Sequence, residues 1–446
     1  MTAGTGGKAT KGNVGLSALI ISAGLITGYL VSQAAALAAL CAAAIALAFL
    51  WRKPTLGVGL WMVLVAVIPS WWTIRVGLEI GVATIVGIPL AVVILLSANR
   101  ATAFAKADLW FCLFAITAII TTRFFETPLY ATRDVIVIWL VAYLLGRLAG
   151  RSANAIVAVV GVGCGLWSIL EFAFGLHVFE SSSAVDYWAS IQTRGSYERS
   201  EASFGHAIAL GATLALSVPF VMQLRRFRGL CLVILALGTL ATFSRGPMLA
   251  FGLSMLLNIF ASHRIRFKTL PMAGLAVVGV AYWYTVDALQ ADETAGNQLN
   301  GSDAYRGLTF ARTVETLNPI GLADGTVYNP ITQKTSYSGI TTVDNAPLLI
   351  ALRFGWIPAL ILVILLIVLS WRVISRVATA PAAIALVAQI PVLLTAALLT
   401  QWQVFVLFAA GVAVTEMADP PEKPVTDGSI KQPQQPECEP RAQTAL

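Results

Sequence analysis

The sequence predicts an all-α integral membrane protein that crosses the bilayer many times. Hydrophobic residues make up 58% of the 446 residues, charged residues only 11%, and the mean hydropathy is +0.80. Soluble domains average about 25% charged residues. The apolar runs are long and continuous, whereas the strands of a membrane barrel alternate over about 10 residues. The composition therefore predicts helices in lipid and argues against both a soluble fold and a barrel.

The number of membrane spans follows from the length of the apolar runs. A helix that crosses the bilayer needs roughly 20 residues. Fourteen spans are predicted, near residues 14–33, 35–51, 56–72, 80–97, 108–122, 134–149, 153–176, 204–222, 229–243, 247–261, 269–287, 345–370, 381–399 and 401–416. Twelve is the alternative, if a short hairpin near either end is re-entrant.

Basic residues set the orientation, because Lys and Arg are enriched in cytoplasmic loops. Alternate connections carry such residues: Arg52/Lys53, Arg100/Lys106, Arg147/Arg151, Arg225/Arg226/Arg228, Arg264/Arg266/Lys268 and Arg372/Arg376, with Lys8 and Lys11 before the first span. This places both termini in the cytoplasm and the protein in the cell membrane. The net charge of +7 then reflects topology, and no nucleic acid is expected as a partner.

The predicted organisation alternates membrane helices with two long outer loops. The segments are a cytoplasmic tail 1–13, N-terminal helices 14–176, an arginine-bearing extracytoplasmic loop 177–203, central helices 204–287, a large extracytoplasmic loop 288–344, C-terminal helices 345–416 and a cytoplasmic tail 417–446. The last segment is rich in Pro, Gln and Glu, a composition typical of disorder.

Cysteine and histidine limit the chemistry. Four of the five cysteines fall inside apolar runs, and their spacing fits neither a disulfide framework nor a metal site. With only three histidines, a histidine-rich metal site is excluded, and we expect no metal and no cofactor. The absence of an internal repeat of fixed period weighs against an inverted-repeat transporter.

The first outer loop carries two arginines of interest. Arg194 lies at the mouth of a span, with ten residues between it and Gly205. Arg199 lies between Glu198 and Glu201, so it is either a phosphate ligand or a member of local ion pairs in a solvated loop. Arginine suits phosphate because its planar fork donates two parallel hydrogen bonds and stays charged.

A third arginine lies in the short turn Thr242-Phe243-Ser244-Arg245-Gly246 between two spans, on the same face as both long loops. Arg245 is either a snorkelling anchor or a functional cation. Anchors of this kind are favoured on the cytoplasmic side, and this turn is predicted to be outside. The position therefore favours function.

The large loop is predicted to contain one helix, which Ser302 caps and which ends at Asn318-Pro319. Its apolar face consists of Phe310, Val314 and Leu317, at i, i+4 and i+7.

Two arginines of this helix differ in position. Arg306 lies one turn before Phe310, on the apolar face, where it needs an anionic partner. Arg312 lies about 200° round from that face and can pair with Glu315 in solvent.

The segment Val343-Asp344-Asn345 leads back into the membrane. Asp344 is either the cap of the next helix or a general base that takes a proton from an acceptor hydroxyl. Arg353 would lie about 13 Å along that helix. It is either a functional intramembrane cation or a structural partner of Glu171.

Several of these segments together resemble a known family. The turn TFSRG, the arginine-bearing loop before it, NPIGLADG and VDNAPLLIALRFGWIPAL, all within residues 190–370, resemble the O-antigen ligase and polymerase family of bacterial membrane proteins. The resemblance implies metal-independent glycosyl transfer on the extracytoplasmic face. The donor would be an oligosaccharide on undecaprenyl diphosphate, held in the membrane lipid, and the acceptor a second glycan. Partner proteins of glycan assembly are also implied.

The family's acting residues carry over to four positions of this chain. Arg194, with its spacing to Gly205, matches the family's loop arginine. Arg245 matches the arginine of the family's SRG turn, and Arg306 matches the arginine of its loop helix. Asp344 stands where ligases usually carry His, and Asp-Asn there resembles the exopolysaccharide polymerase branch.

These four are the expected catalytic residues, and the expected substrate-binding residues are Arg199, Arg312, Arg353 and Asn345. The expected function is polysaccharide polymerisation. The alternatives are a glycan ligase, a secondary transporter or lipid-glycan flippase, and a non-catalytic member of a glycan-assembly complex.

Overall fold

The computed structural model describes residues 54–75, 79–97, 105–124, 129–179, 191–194, 197–261, 279, 293–329, 334–340, 342–398 and 400–418. These residues are mostly helical, as the sequence predicts.

The helices in chain order are α1 Pro54–Val67, α2 Val82–Ser97, α3 Lys106–Phe124, α4 Leu129–Ala149, α5 Ala153–Phe174, α6 Ala207–Val221, α7 Arg228–Ala241, α8 Arg245–Ala261, α9 Glu293–Val314, α10 Ala346–Phe354, α11 Trp356–Ile374, α12 Pro381–Ala388, α13 Ile390–Leu393 and α14 Thr400–Ala418. A 3₁₀ turn, Gly150–Ser152, joins α4 to α5.

The described residues also form three two-stranded antiparallel hairpins, which the sequence did not predict. They pair β1 Thr73–Arg75 with β2 Glu79–Gly81, β3 Thr193–Arg194 with β4 Tyr197–Glu198, and β5 Thr326–Asn329 with β6 Lys334–Tyr337. The last two pairs lie in the two long loops.

Three helical segments of the described residues are long and apolar enough to cross a membrane by length and composition. They are Val137–Phe174, which runs through the 3₁₀ turn, Trp356–Ile374 and Thr400–Ala418. The shorter apolar helices between residues 54 and 261 lie where spans were predicted. The predicted spans 14–33, 35–51 and 269–287 and most of the tail 417–446 lie outside the described residues, so the count of fourteen stays a prediction.

The predicted span 345–370 is wrong as a continuous helix. It is divided at Gly355, whose φ of +99° lies in a region that side-chain-bearing residues rarely adopt. A Cβ there would lie 2.5 Å from the carbonyl oxygen of Pro319. The residues on either side of Gly355, Phe354 and Trp356, are apolar, which is why hydropathy did not reveal the break. The predicted span 381–399 is likewise divided, into α12 and α13.

Helix α6 forms the centre of the bundle. All but one of its residues are buried, and it packs against α5, α7, α8, α12 and α14. Its sequence, AIALGATLALSVPFV, is rich in small residues, which let neighbouring helices approach closely where lipid provides no hydrophobic drive. Gly211 illustrates this, because a Cβ there would lie 2.8 Å from both Pro247 and Thr242.

Helices α4 and α14 make a reciprocal close contact. A Cβ added at Gly146 would lie 2.1 Å from the carbonyl oxygen of Phe408, and one added at Gly411 would lie 2.1 Å from that of Tyr143. The two backbones therefore touch at a pair of glycines, one from each helix.

A buried ion pair joins α3 to α4. The Arg147 guanidinium donates from Nε and Nη2 to the Asp108 carboxylate at 2.9 Å each, and the Tyr143 hydroxyl donates to the same carboxylate at 2.6 Å. Arg147 also donates to Thr415 of α14 at 2.8 Å. The prediction that Arg147 is a charge of a cytoplasmic loop is thus wrong, because it is a buried residue of α4 that ties three helices together.

Candidate functional site

Four arginines from three separate segments line one cavity of about 330 Å³. Arg194 and Arg199 come from the first loop, Arg245 from the first residue of α8, and Arg306 from α9. We call this space the arginine cavity. Every charged side chain that the described part of the chain contributes to its lining is an arginine. A cavity of this charge is complementary to an anion.

The turn between α7 and α8 is held in place by Arg199. Its Nε donates to the carbonyl oxygen of Thr242 at 2.9 Å, and its Nη2 donates to the hydroxyl of Ser244 at 2.6 Å. These two acceptors lie three residues and one residue before Arg245 in the chain. Arg199 therefore fixes the backbone from which Arg245 extends, and its fork geometry suits the task.

Phe243, at the centre of this turn, has a φ of +47°, in the left-handed region that costs a bulky residue roughly 1–3 kcal/mol. Ring contacts offset that strain. Tyr197 stacks on Phe243 with centroids 5.4 Å apart and planes 14° apart, and Phe172 contacts it at 5.5 Å. The turn is thus held by Tyr197 of the first loop and by Phe172 of α5.

Arg199 is not in a solvated loop. It is 6% exposed, and burial, followed by the charge of Arg194, lowers its pKa. The interpretation of Arg199 as a solvated ion-pair residue is wrong, because its guanidinium bonds to Thr242, Ser244 and, at 3.4 Å, Gln192. Its predicted role as a substrate ligand stays open, since it also lines the cavity.

Arg306 reaches the cavity from α9, whose bounds differ from those predicted. The helix begins at Glu293, so Ser302 lies inside it and does not cap it, and it ends at Val314 rather than at Asn318. An extra helical segment before Ser302 has little apolar character, so hydropathy does not show it.

The buried face of α9 also differs from the predicted apolar face. Phe310 is 56% exposed and Val314 is exposed, whereas Thr309 and Thr313 are buried. Arg306 is half-buried and lies about one turn before Thr309 and two turns before Thr313, on their side of the helix. The helix therefore turns threonines toward the protein. Of the predicted apolar face, only Leu317 packs against the core of the described residues, whereas Phe310 and Val314 are exposed.

Asp344 lies beside this arginine. Burial raises the pKa of its carboxyl group, and the charge of Arg306 opposes that rise. The segment is anchored on both sides: the Tyr305 hydroxyl of α9 donates to the carbonyl oxygen of Thr342 at 2.9 Å, and the Asn345 amide donates to that of Leu394, a cavity-lining residue, at 3.1 Å. Asp344 is thus held next to the arginine cavity.

The cap of α10 is Asn345 rather than Asp344. Its Oδ1 accepts from the backbone N–H of Leu348 at 2.9 Å. Capping was one of two interpretations of Asp344, and the structure assigns it to the next residue. The Asp344 carboxylate is therefore not needed to begin the helix.

The segment NPIGLADG, residues 318–325, caps the break between α10 and α11. The first N–H groups of α11, from Trp356 and Ile357, donate to the carbonyls of Asn318 and Pro319 at 2.9 and 3.1 Å. Conversely, the N–H groups of Gly321 and Ala323 donate to the last carbonyls of α10 at 3.1 and 3.0 Å. A broken helix leaves such N–H and carbonyl groups without hydrogen-bond partners inside the helix. Residues 318–325 supply those partners.

Arg353 and Glu171 do not form the predicted pair. Arg353 Nε donates to the hydroxyl of Tyr337 on β6 at 3.3 Å, so it contacts the large loop. Glu171 accepts instead from the Ser200 hydroxyl at 2.5 Å and from the backbone N–H groups of the next two residues, Glu201 and Ala202. Arg312 is exposed on α9, as predicted, and does not line the arginine cavity.

A second cavity, of about 260 Å³, adjoins the first at Arg199, which lines both. We call it the carboxylate cavity. Its lining is Glu171, Phe172, Gly175, His177, Tyr197, Glu198, Arg199 and Ser200.

The sequence did not indicate the residues that support the site. His177, Gln192, Tyr197 and Phe243 act through contacts between segments distant in the chain, and single-sequence patterns carry no such information. Ser244 had a signal, its place beside Arg245 in the SRG turn, and the structure adds the hydroxyl that accepts from Arg199.

Comparison with known proteins identifies no relative: no family model, no curated protein and no solved structure matches this chain.

Proposed function

We propose that this chain is a membrane glycosyltransferase that joins a glycan from an undecaprenyl-diphosphate-linked donor to an acceptor glycan on the extracytoplasmic face, as a polysaccharide polymerase. One observation carries the proposal: Arg194, Arg199, Arg245 and Arg306 line a single cavity, with the Asp344 carboxylate beside it. The resemblance to the O-antigen ligase and polymerase family supports it.

The cavity fits the leaving group. When the bond between the anomeric carbon and the diphosphate oxygen breaks, its electron pair goes to the diphosphate, which gains negative charge. Fixed guanidinium groups stabilise charge that develops in this way, and one such donor contributes about 10²–10³ in rate. Arg194, Arg245 and Arg306 form the clamp in our account, and Arg199 positions Arg245.

The acceptor side requires a base. The acceptor hydroxyl oxygen forms the new bond to the anomeric carbon, and its proton passes to the Asp344 carboxylate. Burial raises the pKa of this carboxyl group, which makes the ionised form a stronger base than an exposed aspartate. The charge of Arg306 opposes that rise and so favours the ionised form. Direct displacement inverts the configuration at the anomeric carbon.

The proposal is tested by deleting the gene and analysing surface glycan together with lipid-linked intermediates. A polymerase leaves single repeat units on the lipid and no long chains. Complementation with the wild-type gene restores the chains, whereas Arg306→Ala at equal protein level does not. Glu315→Gln, an exposed residue of the segment after α9, is the control and restores them.

Other outcomes assign other functions. Long chains that stay on the lipid and never reach their final acceptor indicate a ligase. Normal surface glycan with no accumulated intermediate contradicts glycosyl transfer in both forms and favours a transporter.

A further inference from the structure

The carboxylate cavity contains one fixed and one accessible carboxylate. Glu171 is 2% exposed, and its oxygens accept from Ser200, from the N–H groups of Glu201 and Ala202, and from His177 Nδ1 at 2.9 Å. Glu171 is therefore fully engaged and acts as a scaffold. It holds His177, which binds the second carboxylate.

That second carboxylate belongs to Glu198. It lies 3.5 Å from His177 Nε2, and its side chain is 57% exposed. A carboxylate offers about four lone-pair positions for hydrogen bonds. One contact at this distance leaves Glu198 able to accept from hydroxyl groups in the cavity.

An aromatic surface forms another wall. Tyr197 stacks one ring face on Phe243 and is 48% exposed, and Phe172 contacts the same Phe243 ring. Tyr197 lines the cavity, and among the residues that the structure describes its ring is exposed enough to contact a ligand there. The face of an aromatic ring is electron-rich and attracts partly positive hydrogens, such as those on the ring carbons of a sugar.

The combination selects a class of ligand. Two carboxylates, Glu171 and Glu198, disfavour an anion. Arg199 supplies donors, because a guanidinium has five N–H groups and three of them bond to Thr242, Ser244 and Gln192. A neutral sugar has hydroxyl groups that donate to carboxylates and accept from such donors, together with a C–H face that packs on an aromatic ring. A volume of about 260 Å³ lies just below the roughly 300–1,000 Å³ typical of ligand pockets, which suits a short sugar segment.

We propose that the carboxylate cavity binds a neutral sugar residue of the acceptor glycan, next to the donor diphosphate in the arginine cavity. This inference rests on the proposed function for the identity of the acceptor. Glu198 accepts hydrogen bonds from sugar hydroxyls, and Tyr197 packs against the sugar ring. Because Arg199 lines both cavities, acceptor and donor meet at that side chain.

The test is binding of the purified full-length protein, in lipid nanodiscs, to an array of neutral oligosaccharides. We expect the wild type to bind at least one of them. Tyr197→Ala and Glu198→Gln should each weaken that binding at least tenfold. Tyr197→Phe, which keeps the ring, and Glu315→Gln, a carboxylate outside the cavity, should bind like the wild type.

Two results would overturn the inference: a wild type that binds no neutral glycan, or Tyr197→Ala and Glu198→Gln proteins that bind as well as the wild type. If Tyr197→Ala fails to fold, as judged by its thermal midpoint, Glu198→Gln alone decides, because it changes an exposed group.

Complemented deletion strains separate this inference from the proposed function. If Arg306→Ala abolishes long chains while Tyr197→Ala and Glu198→Gln retain wild-type chain lengths, the sugar site fails and the glycosyltransferase stands. If Arg306→Ala leaves the chains intact, the proposed function itself fails.

Discussion

At the scale of single residues, arginines with different tasks share one cavity. Arg199 is buried and donates to Thr242 and Ser244, so it holds the turn that carries Arg245. Arg306 lines the cavity, and its charge opposes the rise that burial causes in the pKa of Asp344. Residue type alone does not separate these tasks, because each depends on what the guanidinium touches.

Arg199→Lys should impair the protein although it keeps the charge. An ammonium group cannot donate to Thr242 and Ser244 with the geometry of the planar fork. We expect a loss of about 2 kcal/mol in stability. We also expect a fall in polymer formation of roughly 10²-fold, because Arg245 is displaced.

Thermal unfolding in detergent and glycan analysis of the complemented strain measure these effects. Arg312→Lys, on the exposed side of α9, is the matched control and should change neither. Wild-type polymer from the Arg199→Lys protein would show that the brace is dispensable.

Glu201 should make stability depend on pH. Burial raises the pKa of Glu201 to about 7, against 4.5 for the ordinary group. The folded protein then retains a proton that the unfolded chain has lost. The contribution of this residue to the free energy of unfolding therefore falls by about 3 kcal/mol in total between pH 4.5 and pH 7. Above pH 7 it is constant.

Glu201→Gln removes this contribution while its side-chain oxygen still accepts from the Gln192 N–H, a bond of 2.7 Å in the wild type. Thermal midpoints measured from pH 4.5 to pH 8 should fall less steeply with pH for the variant, which should be the more stable protein at pH 8. The exposed Glu315→Gln serves as control and should follow the wild-type curve. A Glu201→Gln protein with the same slope as the wild type would contradict the account.

At the scale of elements, the bundle depends on close backbone approaches and on capped breaks. Gly146 of α4 and Gly411 of α14 bring two helices into direct contact. Gly355 divides the predicted span 345–370, and residues 318–325 complete the hydrogen bonds of both new ends. The second feature links the large loop to the membrane helices that follow Asp344.

Gly411→Ala should destabilise the protein. Its Cβ would lie 2.1 Å from the carbonyl oxygen of Tyr143 and 2.7 Å from the backbone nitrogen of Arg147, so α14 must move away from α4. Overpacking of this kind costs typically 1–3 kcal/mol. Fluorescence-monitored thermal unfolding in detergent would record the lower midpoint.

Gly163→Ala, in helix α5, is the matched control. A Cβ at Gly163 meets nothing within 4 Å, and alanine is about 1 kcal/mol more favourable than glycine inside a helix. We therefore expect an unchanged or higher midpoint. Equal midpoints for the two variants would show that the α4–α14 contact tolerates a methyl group.

At the scale of the whole molecule, the sequence predicts the helices better than it predicts the contacts between them. Apolar length locates the described spans between residues 54 and 261 to within a few residues. It misses the break at Gly355, because the flanking residues stay apolar. It also misassigns Arg147, because a charge near a helix end is also typical of a loop, and only its Asp108 partner reveals burial.

The candidate site was likewise predictable from the sequence only in part. Arginines in three loops on one predicted face indicated a shared site, and the structure brings Arg194, Arg245 and Arg306 to one cavity. The support from Arg199, Tyr197 and Phe243 could not be predicted, since it arises from packing between distant segments. The predicted Arg353–Glu171 pair failed because complementary charge alone does not determine proximity.

The central claim is that the arginine cavity stabilises a diphosphate leaving group. The most direct measurement is release of undecaprenyl diphosphate by the purified protein in nanodiscs with chelator present, using lipid-linked glycan from the deletion strain as substrate. We expect release by the wild type and by Glu315→Gln, and a loss of at least 10²-fold in Arg306→Ala. No release by the wild type, or equal release by Arg306→Ala, would contradict it.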